Sequence, residues 1–122
     1  MALRGIRGAI TVDENSKEKI WQAARQLVTE ILSLNELSAE NLGAIIFSTT
    51  EDLTAAFPSS AVRLLPALRL VPLFDTREPA IDNSLPMCIR VLILADTDKA
   101  QDKIRHVYLG GAKNLRPDLD HE

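Results

Sequence analysis

Residues 87–95 form an apolar run that carries one charged side chain, Arg90, near its middle. The run is rich in β-branched residues and contains neither Gly nor Pro, which predicts a strand buried on both faces of a sheet. A guanidinium stays charged at every accessible pH, so inside a sheet Arg90 needs an anion opposite it. That anion belongs either to the protein, as in a structural ion pair, or to a ligand.

Length and composition restrict the fold and the possible partners. The 122 residues are expected to form one domain, 1–122, with a polar tail at 118–122. Apolar residues make up 46% of the chain, which is typical of a globular protein, and the net charge of −3 offers no basic field for nucleic acid. No apolar stretch approaches the roughly 20 residues of a membrane span, so no membrane partner is expected.

Two further features favour a cytoplasmic protein. The N-terminal residues lack the apolar region of a signal peptide. Cys88 is the single cysteine, which excludes an internal disulfide and suits a reducing compartment. Cys88 lies in the apolar run 87–95, and we interpret it as a packing residue.

Hydrophobic periodicity predicts an α+β fold with a mixed sheet. The long helix begins at Asn15 or Ser16 as its N-cap and ends near residue 35, and a short helix, 59–65, follows Pro58. Residues 38–41 are a short helical or turn segment, 75–86 a loop, and Gly110-Gly111 a hairpin-like turn. The predicted strands are 3–12, 42–49, 70–74, 87–95, 104–109 and 112–115.

The predicted elements do not cover the predicted sheet. Several strands are apolar on both faces, whereas only one long and one or two short helices are available to pack on them. An uncovered apolar sheet surface is expected to meet another subunit, so we predict a homo-oligomer.

The residues that usually carry chemistry are sparse. The sequence has no glycine-rich phosphate motif and no Cys or His cluster with metal-ligand spacing, so neither a cofactor nor a metal is predicted. No nucleophile is combined with a base and an orienting third group. An enzyme built from these residues would work by binding, orientation and electrostatics.

Several segments, in this order and spacing, nevertheless carry a resemblance. They are residues 4–9 (RGIRGA), 50–53 (TEDL), 56–58 (AFP), Glu78, 88–91 (CIRV), 104–109 (IRHVYL) and 115–119 (LRPDL). The whole chain resembles the monofunctional, trimeric α/β chorismate mutases. The resemblance implies a cofactor-free Claisen rearrangement of chorismate to prephenate on the way to phenylalanine and tyrosine. It also implies a homotrimer with a barrel-like central core and sites between subunits.

The resemblance assigns roles by motif. Arg90 and Glu78 are the catalytic pair: Arg90 donates to the ether oxygen of chorismate, and Glu78 accepts from the ring hydroxyl. Arg7 and Tyr108 hold the pyruvyl carboxylate. The remaining implied contacts are Phe57 and Arg63, which come from the neighbouring subunit, and Arg116, near the C-terminal edge.

Two positions depart from the family pattern. Ser60 stands where relatives carry a lysine at the rim of the site. Asp75 stands where relatives have a small neutral residue beside the ring hydroxyl, among the substrate-binding positions. A carboxylate there either raises the pKa of Asp75 or Glu78 or points away from the ligand.

Other interpretations of the same residues remain. Glu78 is also the natural internal partner of Arg90, which would neutralise the site. At the level of function, the alternatives are a non-catalytic trimeric module that binds small carboxylates and an imine or enamine hydrolase of the small trimeric deaminase family.

Overall fold

The computed structural model describes residues 2–113 and residue 115, and it contains a mixed α+β fold. The predicted fold class is therefore confirmed. The strands are β1 (Ala2–Thr11), β2 (Leu42–Thr49), β3 (Leu73–Arg77), β4 (Cys88–Thr97) and β5 (Val107–Leu109), and the helices are α1 (Lys17–Leu34) and α2 (Pro58–Arg63). Short 3-10 turns occupy Ala39–Asn41, Pro66–Leu68, Gln101–Lys103 and Gly110–Ala112. Within these residues, no helix is long and apolar enough to cross a membrane.

The sheet places β4, the strand of Arg90, at its centre. The strand order is β3-β2-β4-β1-β5. β4 runs antiparallel to both of its neighbours, β1 and β2. The two edge strands are parallel to their neighbours: β3 pairs with β2, and β5 pairs with β1. In this register Arg90 lies opposite Ala9 on one side and Ser48 on the other.

The structure decides between Asn15 and Ser16, the two residues predicted as possible N-caps of α1. The Ser16 side chain accepts a hydrogen bond from the Lys19 N–H at 3.3 Å, so Ser16 is the N-cap. Asn15 has a different contact: its side-chain oxygen accepts from the N–H groups of Thr54 and Ala55, each at 3.0 Å. Asn15 therefore ties the start of α1 to the segment before α2.

Three predicted strands differ from the structure by more than two residues. β5 begins at Val107, not at residue 104, and residues 112, 113 and 115 of the predicted strand 112–115 are not in a strand. β3 begins at Leu73, not at residue 70, because it pairs with β2 only after Pro72, and it extends through Arg77 into the predicted loop. The predicted hairpin at Gly110-Gly111 is wrong. Gly110 adopts a φ of +59°, and the N–H of Gly111 donates to Thr11 Oγ1 at 2.8 Å, so the chain turns onto the end of β1.

The two faces of the sheet have different surroundings. One face, called here the helical face, packs against α1 and α2, and its strand side chains are almost fully buried: Ile6, Ile10, Ile45, Phe47, Val91 and Ile93. On the opposite, open face, cross-strand pairing aligns Phe74, Ile46, Leu92 and Arg7. Phe74 is 64% exposed and Leu92 36% exposed. The predicted shortage of helical cover is confirmed for the described residues.

Gly8 permits the close approach of α1 to the helical face. A Cβ at this position would lie 2.8 Å from Ile31 Cδ1 and 2.9 Å from the Val107 carbonyl oxygen. Because one of these neighbours is main chain, it cannot move aside without disturbing β5. We predict that Gly8→Ala lowers the free energy of unfolding by about 1–3 kcal/mol.

Gly43→Ala is the matched control for this substitution. Its Cβ would meet nothing closer than the Leu94 carbonyl oxygen, at 3.7 Å, which is ordinary van der Waals contact. The free energy of unfolding of both variants is measured by urea denaturation at equal protein concentration. Equal midpoints for the two alanine variants would contradict the packing constraint at Gly8.

Candidate active site

Arg90 lies on the open face of the sheet, and part of its charge is matched internally. Its Nε donates to Glu78 Oε1 at 2.8 Å. The Arg90 side chain is 36% exposed, whereas that of Glu78 is only 11% exposed. This is the only hydrogen bond of the Arg90 side chain to any residue that the structure describes. Among the described residues, the two terminal guanidinium nitrogens therefore have no hydrogen-bond acceptor.

The backbone holds Glu78 where its side chain can reach β4. β3 ends at Arg77, and the Glu78 N–H then donates to the Thr49 carbonyl at 2.9 Å. Because β2 lies between β3 and β4, the Glu78 side chain extends past the end of β2 to meet Arg90. Glu78 is therefore the internal partner of Arg90, but only for the Nε of the guanidinium among the described atoms. The second carboxylate oxygen, Glu78 Oε2, has no hydrogen bond to a described residue.

Tyr108 lies beside Arg90 with one small residue between them. The strand register places Tyr108 opposite Ala9, and Ala9 opposite Arg90, so all three side chains share the open face. The Tyr108 hydroxyl is buried and has no hydrogen-bond partner among the described residues. A buried hydroxyl without a partner costs about 1–3 kcal/mol, so this group is suited to a ligand that completes it.

Arg7 belongs to the same face, two residues before Ala9 on β1. Its register partner is Leu92, and the residue is exposed. The main-chain N–H of Arg7 donates to His106 Nδ1 at 2.9 Å. Nδ1 is therefore the imidazole nitrogen that accepts this hydrogen bond. Arg7, Arg90 and Tyr108 are therefore brought to one surface.

Cys88 shares this face but is fully buried. Burial raises the pKa of the Cys88 thiol to about 11, and the nearby Arg90 guanidinium offsets only part of that effect. The thiol is protonated at neutral pH and packs with Ala9 and Ala112. Its interpretation as a packing residue is confirmed. No group of three or more His, Cys, Asp and Glu side chains in the described ranges is placed to hold a metal.

Phe57 and Arg63 lie at the two ends of α2 and are not brought to Arg90 within this chain. Phe57 precedes the first turn of α2, is 67% exposed, and lines a cavity of about 500 Å³ with Leu53 and Thr76. Arg63 is exposed in the last turn. α2 packs on the helical face, whereas Arg90 lies on the open face.

The structure places Asp75 away from Arg90. Alternation along β3 puts Asp75 opposite Phe47, on the helical face. Its Oδ1 accepts from the Ser59 N–H at 3.2 Å, and its other oxygen bonds the Ser59 hydroxyl. Phe57 cannot cap α2 with its side chain, so Asp75 supplies the missing acceptor. In the described structure Asp75 makes no hydrogen bond to Arg90 or Glu78. Its place among the substrate-binding positions stays a prediction.

Ser60 lies in α2 and is half-buried. Arg116 falls outside the described residues. A feature that the sequence did not assign a role is the turn at residues 50–53, where Thr50 and Asp52 hydrogen-bond the start of β4. The TEDL motif was the available signal, but its partner segment lies more than 30 residues away.

The chain matches known proteins over almost its whole length. Residues 3–119 match the family model of chorismate mutase type I. Chorismate mutase AroH of Thermus thermophilus is 52% identical over 119 residues, which cover 97% of each chain. Chorismate mutase AroH of Bacillus subtilis (strain 168) is 43% identical over 119 residues, which cover 98% of this chain and 94% of that protein.

A solved structure agrees with these matches. The chorismate mutase from Clostridium thermocellum superposes with a TM-score of 0.87 at 39% identity, covering 90% of this chain and 97% of that one. The family resemblance inferred from the sequence motifs is confirmed. The chain belongs to the chorismate mutase type I family.

Proposed function

We propose that this chain is an isomerase that converts chorismate to prephenate, in the biosynthesis of phenylalanine and tyrosine. Family membership and the two named relatives support the activity. The single structural observation that carries the proposal is Arg90 on the open face, whose Nε is bound to Glu78 while its terminal nitrogens have no acceptor among the described residues. A dianionic substrate is the kind of ligand that this arrangement accepts.

The rearrangement requires neither a nucleophile nor a general base. Within one molecule of chorismate, the ether C–O bond breaks while a C–C bond forms between the enolpyruvyl arm and the ring. The protein therefore acts on the barrier in two ways. It holds the flexible arm over the ring, which removes entropy from the activation step. It also places donors where the ether oxygen gains negative charge in the transition state.

Arg90 performs the electrostatic part of this mechanism. One terminal nitrogen donates to the ether oxygen, and the other donates to the pyruvyl carboxylate. The bond between Arg90 Nε and Glu78 fixes the plane of the guanidinium before substrate arrives, so little reorganisation is required at the transition state. Glu78 Oε2 then accepts from the ring hydroxyl of chorismate, so one carboxylate both orients Arg90 and binds substrate.

Tyr108 and Arg7 hold the pyruvyl carboxylate. The buried Tyr108 hydroxyl gains its partner when that carboxylate arrives, since it has none among the described residues. Arg7 supplies a second positive charge on the same face. Because Arg7 is more exposed to solvent than Arg90, it contributes less binding energy. Arg116 would face the ring carboxylate together with Arg63.

The proposed active form is a homotrimer with its sites between subunits. The apolar row on the open face, which includes the exposed Phe74 and Leu92, supports burial against another subunit. Phe57 and Arg63 lie on the helical side of their own chain, and we assign them to the site of the neighbouring subunit. Asp75, bound to Ser59, has no assigned contact with substrate.

We propose that residues 1–122 form one domain, in line with the family match over 3–119, and that the protein acts in the cytoplasm. The free thiol of Cys88 agrees with a reducing compartment.

The direct test is the conversion of chorismate by pure protein, together with the variant Arg90→Lys. Lysine keeps the positive charge but loses the planar fork, so the donor to the ether oxygen is no longer held by Glu78. We predict that kcat falls about 100-fold or more, which corresponds to roughly 3–4 kcal/mol of barrier, while the unfolding midpoint changes little. The assay follows chorismate loss and identifies prephenate.

Arg25→Lys is the matched control for Arg90→Lys. Arg25 Nε also donates a hydrogen bond, to the Ala61 carbonyl at 3.3 Å, but it lies on α1, away from the open face. Its kcat should equal that of the wild type. Unchanged turnover in Arg90→Lys would refute the electrostatic role. A folded wild-type protein that forms no prephenate would support a binding module or a hydrolase instead.

Complementation between inactive variants tests whether each site is shared by two subunits. Arg90→Ala and Arg63→Ala chains are each expected to be nearly inactive when alone. Unfolded and refolded together, they form mixed trimers in which some sites combine an intact Arg90 with an intact Arg63 from the next chain. Random mixing should restore about a quarter of the wild-type activity. If both arginines serve the same site from one chain, mixing restores nothing.

A further inference from the structure

The turn after β2 is bonded to the beginning of the strand that carries Arg90. The Thr50 N–H donates to the Cys88 carbonyl at 3.1 Å, and the Cys88 N–H donates to Thr50 Oγ1 at 3.0 Å. The Thr50 hydroxyl in turn donates to Asp52 Oδ1. Thr50 is buried, and a chain of hydrogen bonds therefore runs from the main chain of β4 to the Asp52 carboxylate.

The residue before β4 has a strained backbone. Met87 adopts a φ of +52°, in the left-handed region of backbone conformation, which residues other than Gly, Asn and Asp rarely adopt. Such a conformation costs about 1–3 kcal/mol and persists only where its surroundings impose it. Two contacts impose it here. Both oxygens of Asp52 lie near the Met87 N–H, at 3.0 and 3.2 Å, and the Met87 carbonyl accepts from the Val12 N–H at 2.8 Å.

This constraint acts two to three residues before Arg90. Along a strand, successive side chains point to opposite faces, so the way in which β4 enters the sheet decides where Arg90 points. The same turn also influences Glu78, because the Glu78 N–H is bound to the carbonyl of Thr49, directly before Thr50. One short segment therefore sets the positions of both members of the Arg90–Glu78 pair.

We propose that Asp52 is a positioning residue for the rearrangement: its carboxylate holds Met87 in the left-handed conformation and thereby aims the Arg90 guanidinium. The inference rests on the proposed function, in which Arg90 donates to the ether oxygen. Asp52 itself does not touch substrate in this account. It lines a cavity of about 210 Å³ with Glu51 and Glu78.

The first test compares Asp52→Ala with Glu51→Ala. Glu51 is an exposed neighbour that lines the same cavity, and its side chain makes no hydrogen bond or ion pair to a described residue, so its loss controls for the change in charge. Asp52→Ala should lower kcat about 10- to 100-fold with a smaller change in KM, because a small misplacement of a catalytic donor weakens the transition state most. Glu51→Ala should match the wild type.

The second test asks whether the effect passes through Arg90 and Met87. In the Arg90→Lys background, Asp52→Ala should lower kcat far less, because the fork that Asp52 aims is already lost. Adding Met87→Gly to Asp52→Ala should restore part of kcat, since glycine adopts a positive φ without help from Asp52. A merely structural role would give the same loss of kcat in both Arg90 backgrounds.

The outcomes separate this inference from the proposed function. An inactive wild-type protein refutes the proposed function itself. An active wild type with unchanged kcat in folded Asp52→Ala overturns only the positioning role, as does an equal loss of kcat in both Arg90 backgrounds. If Asp52→Ala does not fold, Asp52→Asn replaces it. Its single amide oxygen retains part of the contacts, so an intermediate loss of kcat is expected, and unchanged kcat overturns the inference.

Discussion

The contact between Arg90 Nε and Glu78 is the interaction on which the proposed chemistry depends. A guanidinium at the centre of a sheet must be matched by an acid, and among the described residues one carboxylate matches it, through Nε. The ion pair makes the cation tolerable within the fold, and it fixes the orientation of the remaining donors. The same ion pair that stabilises the arginine in the sheet therefore also preorganises its guanidinium for electrostatic catalysis.

The division of the sheet into two faces explains how one chain holds both a core and a site. Residues of the helical face, such as Ile93 and Val91, pack under α1 and supply the apolar burial that stabilises the fold. Their sequence neighbours on β4, Arg90 and Leu92, point to the other side. Asp75 shows the same rule from β3: alternation directs it to α2, where it caps the helix through Ser59.

The sequence allowed the strand of Arg90 and the course of α1 to be predicted, because long periodic segments determine both. The grouping of Arg7, Arg90 and Tyr108 came from the family resemblance, and the strand register agrees with it. The start of β3, the turn at Gly110 and the left-handed Met87 were not predictable in the same way. Each depends on partners distant in sequence, such as Thr11 for Gly111 and Asp52 for Met87.

The central claim is that the terminal nitrogens of Arg90 are kept for substrate. A crystal structure of the protein with a stable bicyclic analogue of the transition state tests it most directly. The account predicts that these nitrogens donate to the ether oxygen and a carboxylate of the analogue, while Nε keeps Glu78 and the Tyr108 hydroxyl gains a partner. Terminal nitrogens bound to acids of the protein, with the analogue located elsewhere, would contradict it.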